Sequence, residues 1–229
     1  MLDVCCGSGA SAIPAAERVG PSGYVLGVDV ADRLLALARE KARAGGLAHA
    51  EFRVGDMLDT RLPNASFDAV VCVFGIFFVP DMRAAVRELW RLVRPGGVLG
   101  VTTWGPRWLE PVNDVFWEAV REVRPDLHRG FHPWDRITEA EAVLELLVSG
   151  GADTARVVAV PGWHPIATPD DWWSAALGSG LRATLDALDA GDREHVRRTT
   201  CAFVADEGIA DVEVNVVYAS ARKPHLAVD

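Results

Sequence analysis

Lysine is nearly missing from this 229-residue chain: Lys41 and Lys223 stand against twenty-one arginines. Basic residues total 23 and acidic residues 32, for a formal charge of −9. That average field repels a phosphate backbone and argues against nucleic acid as a partner. No apolar run approaches the ~20 residues of a membrane span, and the first residues do not read as a signal peptide. Cysteine is scarce, at 5, 6, 72 and 201 only. Those spacings match no zinc site, and adjacent Cys5 and Cys6 would bridge badly. No metal is therefore expected, and a soluble protein of the reducing cytoplasm is the class that remains. Internal repeats, low-complexity tracts and long charge runs are also missing.

What the chain has is alternation of short apolar runs with helical periodicity, from its start to about residue 105. Residues 2–6 read as a strand that breaks at Gly7-Ser8-Gly9, with a helix over 10–19. A second strand follows over 24–30. Apolar residues at 34, 35, 38 and 42 then mark a helix over 32–43 that stops at Gly45-Gly46. Residues 51–54 and 67–74 read as further strands, the latter apolar throughout 69–73, as a strand covered on both faces should be. Met82, Val86, Leu89, Trp90 and Val93 share one helical face, with Asp81 as N-cap and Arg94-Pro95-Gly96-Gly97 as the stop before a strand over 98–103. Such alternation predicts βαβ units, an α/β fold with a doubly wound and mostly parallel sheet.

The second half predicts an amphipathic helix at 112–123 and a capping box at Thr138-Glu139-Ala140-Glu141. The last strands are expected at 156–160 and 212–218, with a helical insert at about 168–206 between them. The chain thus reads as one domain over 1–229, with a cofactor-binding half at 1–105 and a substrate half at 106–229.

Three features carry chemistry. Glycines directly after the first strand let the backbone turn and approach a ligand under the positive end of the next helix. Asp29, twenty residues after Gly9 and at the end of the second strand, is placed to accept hydrogen bonds from both hydroxyls of a ribose. The bland alternative is that Asp29 or Asp32 caps the next helix. Asp56, in Gly55-Asp56-Met57 at the end of the third strand, either accepts from an exocyclic amine such as adenine N6 or is a turn residue. Ligands bind at these strand ends in an open parallel sheet.

With those residues in view, the chain resembles class I S-adenosylmethionine (SAM)-dependent methyltransferases, especially the branch with the ubiquinone and menaquinone C-methyltransferases. The matching segments are Leu2-Asp3-Val4-Cys5-Cys6-Gly7-Ser8-Gly9, Gly27-Val28-Asp29-Val30, Gly55-Asp56-Met57, Leu62-Pro63 with Phe67-Asp68-Ala69-Val70, Val79-Pro80-Asp81 and Leu92-Val93-Arg94-Pro95-Gly96-Gly97. The resemblance implies a Rossmann-like seven-stranded sheet with its last strand antiparallel. It implies that Asp3, Cys5, Gly7 and Gly9 line the methionine side of SAM, Asp29 its ribose, Val30 the adenine face, and Asp56 with Met57 the adenine edge. Phe74 would face the substrate end. Cys5 stands where many members carry glycine. Members also have some tens of residues before the first strand, so a functional segment upstream of Met1 is expected.

A sulfonium methyl is already activated, so the protein mainly aligns the reactants, and a base is needed only where the nucleophile must lose a proton. Base candidates are His128, His132, Asp135 and His164, with His164 favoured for following a strand end. Trp104, Trp108, Phe131, Trp163, Trp172 and Trp173 either line a flat apolar pocket or pack the insert. Cys5 and Cys6 read as small, half-buried fillers. The favoured function is methyl transfer to carbon or oxygen of a small apolar or aromatic molecule. A nicotinamide reductase is the rival enzyme, since Gly7-Ser8-Gly9-Ala10-Ser11-Ala12 fits G-x-G-x-x-A, but no Tyr-x-x-x-Lys pair exists to serve it. From another class, a non-catalytic binding module would keep the fold without turnover.

Overall fold

The computed structural model describes residues 1–225. Its elements begin with β1 (Leu2–Val4), α1 (Ala12–Val19), β2 (Val25–Asp29), α2 (Asp32–Ala44) and β3 (Ala50–Val54). Next come β4 (Phe67–Val73), α3 (Met82–Leu92), β5 (Val93–Trp104), α4 (Val112–Val123) and α5 (Ala140–Ser149). The chain continues with β6 (Arg156–Val160), β7 (Trp163–Pro165), α6 (Pro169–Leu177), α7 (Arg182–Ala187), α8 (Ala190–Asp206), β8 (Asp211–Glu213) and β9 (Val216–Arg222). Among the described residues no helix is long and apolar enough to cross a membrane.

Two compact bodies result. The first takes in Met1–Trp104, Arg136–Ala159 and the chain from Val217; the second takes in Gly105–Asp135 and Val160–Val216. The expected substrate half, 106–229, is therefore divided between them. The physical reason is the sheet, whose last two strands complete the first body.

That sheet has seven strands in the order β3-β2-β1-β4-β5-β9-β6. β1 lies parallel between β2 and β4, and β2–β3 and β4–β5 are parallel as well. β9 runs antiparallel, tied to β5 where Gly96 N donates to Lys223 O (2.8 Å) and Lys223 N to Gly97 O (2.9 Å). β1 is only three residues long, yet all three are buried, because it sits at the centre of the sheet. Small side chains let α1 and α2 pack closely: Ala12, Ala16, Ala38 and Ala42 share one cluster with Cys6, Val25, Leu35 and Phe52. Cys6 is thus the filler expected. Gly27 in β2 has no room for a side chain, since a Cβ there would meet Phe52 Cδ1 at 2.5 Å and Cys6 Sγ at 2.9 Å. Gly27→Ala is expected to cost about 1–3 kcal/mol by overpacking, read as a lowered denaturation midpoint with the m-value unchanged.

Three local expectations are corrected. α3 ends at Leu92, but Arg94–Gly97 do not merely stop it; they already belong to β5, beside a register shift between Phe67 and Ala69. A Cβ at Gly97 would lie 2.7 Å from Asp68 O, so glycine is what lets the strands meet at that irregularity. The capping box at 138–141 does not form: Glu139 is the N-cap of α5 and makes no side-chain capping bond. The expected strand at 212–218 is two strands, because Asn215 holds the chain in a break, its Oδ1 accepting from Gly162 N (3.1 Å) and its Nδ2 donating to Pro106 O (3.0 Å). β8 before the break pairs antiparallel with β7, and β9 after it enters the main sheet.

The insert forms as expected. Thr168 and Asp171 cap α6 reciprocally with Pro169 in its first turn, and α6 and α8 pack together in the second body.

Candidate cofactor site

The site lies at the carboxyl end of β1, where the winding of the sheet reverses between β2 and β4. After Val4 the chain turns through Cys5, Gly7 and Gly9, at φ 58°, 52° and 82°. Positive φ at three positions in five is the conformation glycine allows cheaply, and Cys5 adopts it as well. Gly9 is also needed for packing, since a Cβ there would meet Ile13 Cγ1 at 3.0 Å and Ala38 Cβ at 3.3 Å. Gly7 sits in more open space, with Leu34 Cδ1 3.9 Å from such a Cβ.

Asp29 fastens this loop. Its Oδ2 accepts from Gly7 N (2.8 Å) and its Oδ1 from Ala31 N (2.8 Å). Each carboxylate oxygen retains a second lone pair, so the geometry still serves two hydroxyls. Neither Asp29 nor Asp32 is the N-cap of α2; that position is Ala31, and Asp32 is a first-turn acid paired with Arg39 at 3.2 Å. Val30, 70 % exposed, and Val54, 56 % exposed, give an open apolar shelf beside Asp29. Asp29 and Val54 are register partners on adjacent strands.

Asp3 is fully buried beneath the loop. Its Oδ2 accepts from Ser11 Oγ at 2.6 Å, while Oδ1 has no partner among the described residues. Burial pushes its carboxyl up to about 7, with the Asp29 charge adding to the rise and the Ser11 bond opposing it. An acid left half-satisfied inside a fold is expensive unless a ligand completes it. Ser11 escaped the sequence reading; its only signal was a hydroxyl two residues past Gly9.

Asp56 is a turn residue at least, with Oδ1 accepting from Leu58 N at 2.8 Å. Met57 is 4 % exposed, so its side chain belongs to the core and only its backbone is left for an adenine edge. Phe74 has φ 52° and stacks on Trp104 at 4.0 Å. The chain behind it touches the glycine loop: a Cβ at Gly75 would fall 2.4 Å from Cys5 Cβ and 3.0 Å from the Sγ of the buried Cys72, both thiols being free. The first body therefore brings together Asp3, Cys5, Gly7, Gly9, Asp29 and Val30, with Phe74 against the loop.

His164 belongs to the second body. It is exposed on β7 opposite Val212, and no hydrogen-bond partner among the described residues orients its ring. Of the expected aromatics, Trp108 and Trp172 are buried packing, while Phe131 and Trp163 are exposed. Trp117 and Trp134, which the sequence reading passed over, are buried too. Among the described residues no cluster of His, Cys, Asp and Glu could hold a metal ion.

Residues 1–97 match the family model described as a methyltransferase domain. The chain resembles class I SAM-dependent methyltransferases, the quinone-methylating branch included. It is 36 % identical over 120 residues to a demethylmenaquinone methyltransferase of Listeria welshimeri, covering 51 % of each chain. It is 41 % identical over 191 residues to the nocamycin O-methyltransferase of Saccharothrix syringae, covering 80 % of this chain and 57 % of that one. The chain thus spans about half the length of the curated relatives it matches. Among solved structures, the [4+2]-cyclase SpnF superposes with a TM-score of 0.59 at 22 % identity, over 98 % of this chain and 74 % of that one. A cyclase on the same fold means the activity must be argued from the site.

Proposed function

We propose that the chain is a SAM-dependent methyltransferase acting on carbon or oxygen of a small apolar or aromatic organic molecule. The observation that carries this reading is the buried Asp3 carboxylate, its Oδ1 without a partner among the described residues, beneath a glycine loop that Asp29 fastens from the neighbouring strand. When bound, S-adenosylmethionine supplies a sulfonium methyl already activated for displacement. Asp3 holds the ammonium end, the Cys5–Gly9 backbone cradles the methionine portion, and Asp29 takes the ribose hydroxyls. Val30 covers one adenine face, with Asp56 and the Met57 backbone at the adenine edge. Phe74, braced by Trp104, closes the reacting end against water. For a hydroxyl acceptor, His164 is the proposed proton acceptor.

The acid at the end of β2 suits a ribose of either SAM or a dinucleotide, but a buried acid in β1 suits the ammonium that only SAM carries. The relatives named for demethylmenaquinone and nocamycin support an organic acceptor, and the longer match to an O-methyltransferase weights the choice toward oxygen. Calorimetry is expected to detect binding of S-adenosylmethionine and not of NADH, and label from methyl-labelled SAM is expected in a hydroxylated aromatic acceptor. SAM binding without transfer to any acceptor supports the binding-module alternative; NADH binding alone rejects the reading.

Asp56 gives a finer test. Asp56→Asn is expected to lose most of its preference for SAM over the inosine analogue, because an amide can donate to the analogue's carbonyl. Equal discrimination by variant and wild type would leave Asp56 as a turn residue only.

A further inference from the structure

The first body holds an open pocket of about 570 Å³ at the amino end of the sheet, away from the cofactor loop. Register fixes that end. Val98, in the pocket wall, pairs with Ala69 of β4, next to Val70, which pairs with Leu2 at the start of β1. The glycine loop and Asp29 lie at the opposite end, where β1 and β2 finish.

The other walls come from β9 and its sheet neighbour β6. Ser220 and Arg222 are exposed on β9 in alternation with buried Ala219 and Ala221, so the two share a face. Thr154, just before β6, donates from Oγ1 to Arg222 O at 2.6 Å, and Arg156 follows two residues on. Gly96 brings two of the lining side chains together. Its carbonyl accepts from Arg222 Nη1 at 2.7 Å. Its φ of 80° leaves the place of a side chain to His225, whose Cε1 and Nε2 lie 2.4 Å and 2.9 Å from where a Cβ would stand. A guanidinium and an imidazole therefore meet at one residue.

Charge selects the ligand. No acid lines this pocket among the described residues, although the chain as a whole carries −9. Arg156 makes no hydrogen bond or ion pair among the described residues, and Arg222 engages only Nη1. Lys223 is not part of this charge, because its ammonium donates to Trp90 O (2.8 Å) and Val93 O (2.9 Å). Two guanidiniums without a carboxylate repel each other and await an anion. A carboxylate brings two oxygens and a single charge; a phosphate brings three oxygens and about two charges, which matches two forks with the Ser220 hydroxyl as a further donor. We propose that this pocket binds a phosphate group between Arg156 and Arg222, beside Ser220 and His225. The volume is that of small-molecule sites, ~300–1,000 Å³, which favours a phosphate carried on an organic body over the free ion.

Calorimetric titration of the full chain at physiological ionic strength tests it, with phenyl phosphate, inorganic phosphate and benzoate as probes. Phenyl phosphate is expected to bind at least about tenfold more tightly than benzoate, which keeps the ring and has the smaller charge. Arg156→Met and Arg222→Met are each expected to weaken phenyl phosphate binding about tenfold. Arg18→Met, which removes the same charge from an exposed position on α1, is expected to change it by less than about twofold, since salt screens a distant charge. Arg156→Met breaks no contact of the fold, so it decides alone if Arg222→Met does not fold. Phenyl phosphate bound no more tightly than benzoate overturns the proposal. Wild-type affinity in folded Arg156→Met also overturns it, as does an equal loss in all three variants. Inorganic phosphate bound as tightly as phenyl phosphate supports the site with the free ion as its ligand, and weaker inorganic phosphate supports an organic phosphate ester.

Discussion

Asp29→Ala is expected to weaken SAM binding by roughly ten- to a hundredfold. A hydrogen bond to a charged group contributes ~1.5–3 kcal/mol, and a tenfold change in affinity corresponds to ~1.4 kcal/mol. The same substitution also orphans Gly7 N and Ala31 N, the two backbone donors that Asp29 now satisfies. Two effects follow from one side chain: loss of the ribose contact and loosening of the loop that approaches the methionine portion. They separate experimentally. Calorimetry reads the dissociation constant, and thermal melting without ligand reads the loop. An unchanged dissociation constant in a folded Asp29→Ala protein rejects the ribose assignment. A lowered melting temperature with unchanged affinity would make Asp29 a fastener only.

The first half of the chain was legible because a parallel sheet covered on both faces leaves a strong record. Its strands are short apolar runs, and acids stand at the strand ends where an open parallel sheet binds its ligands. Gly7, Gly9 and Asp29 came out of that pattern and Asp3 out of the family resemblance, and the four meet in space. The Ser11–Asp3 bond did not, because a hydroxyl eight residues downstream has no periodic signature until the loop geometry is known. In the second half the failures have separate causes. The 138–141 motif has capping-box spacing, but α5 begins after Glu139 and so shifts the register of the cap. The break at Asn215 depends on partners far back in the chain, Pro106 and Gly162, that local β propensity cannot anticipate. Trp117, His132 and Trp134 come together because an irregular loop returns to α4, and no spacing rule encodes such a path. The order of strands was thus readable, while the path of the loop after α4 was not.

The unfilled acid in β1 leads to a prediction that opposes stability to binding. The Asp3 carboxyl is held near 7 in the fold, against an ordinary 3.8, chiefly by burial. The folded chain therefore binds this proton more tightly than the unfolded chain does. The stability it contributes is fully present below about pH 4 and is lost as pH rises through about 7, a swing on the order of 4 kcal/mol. Above that pH the fold carries a buried charge that Asp29 repels, and the Cys6 thiol, pushed up chiefly by burial, is raised further by it. Asp3→Asn removes the charge and keeps an oxygen for Ser11. At pH 8 the ligand-free variant is expected to be more stable than wild type by about 1–4 kcal/mol, at roughly 2–4 °C of melting temperature per kcal/mol. At pH 5 the gap should be narrower, and it closes only below about pH 4. SAM binding should move the other way: wild type tightens between pH 6 and 8 as Asp3 ionises to meet the ammonium, while the variant stays weak by tenfold or more and shows no such rise. Parallel stability curves for the two proteins from pH 5 to 8 would show that Asp3 does not titrate there. A variant that binds SAM as tightly as wild type at pH 8 would remove Asp3 from the cofactor site. The expected pattern has a simple physical origin, because a carboxylate kept dry and half-satisfied destabilises the empty fold by the same interactions that make it a strong partner for a cation.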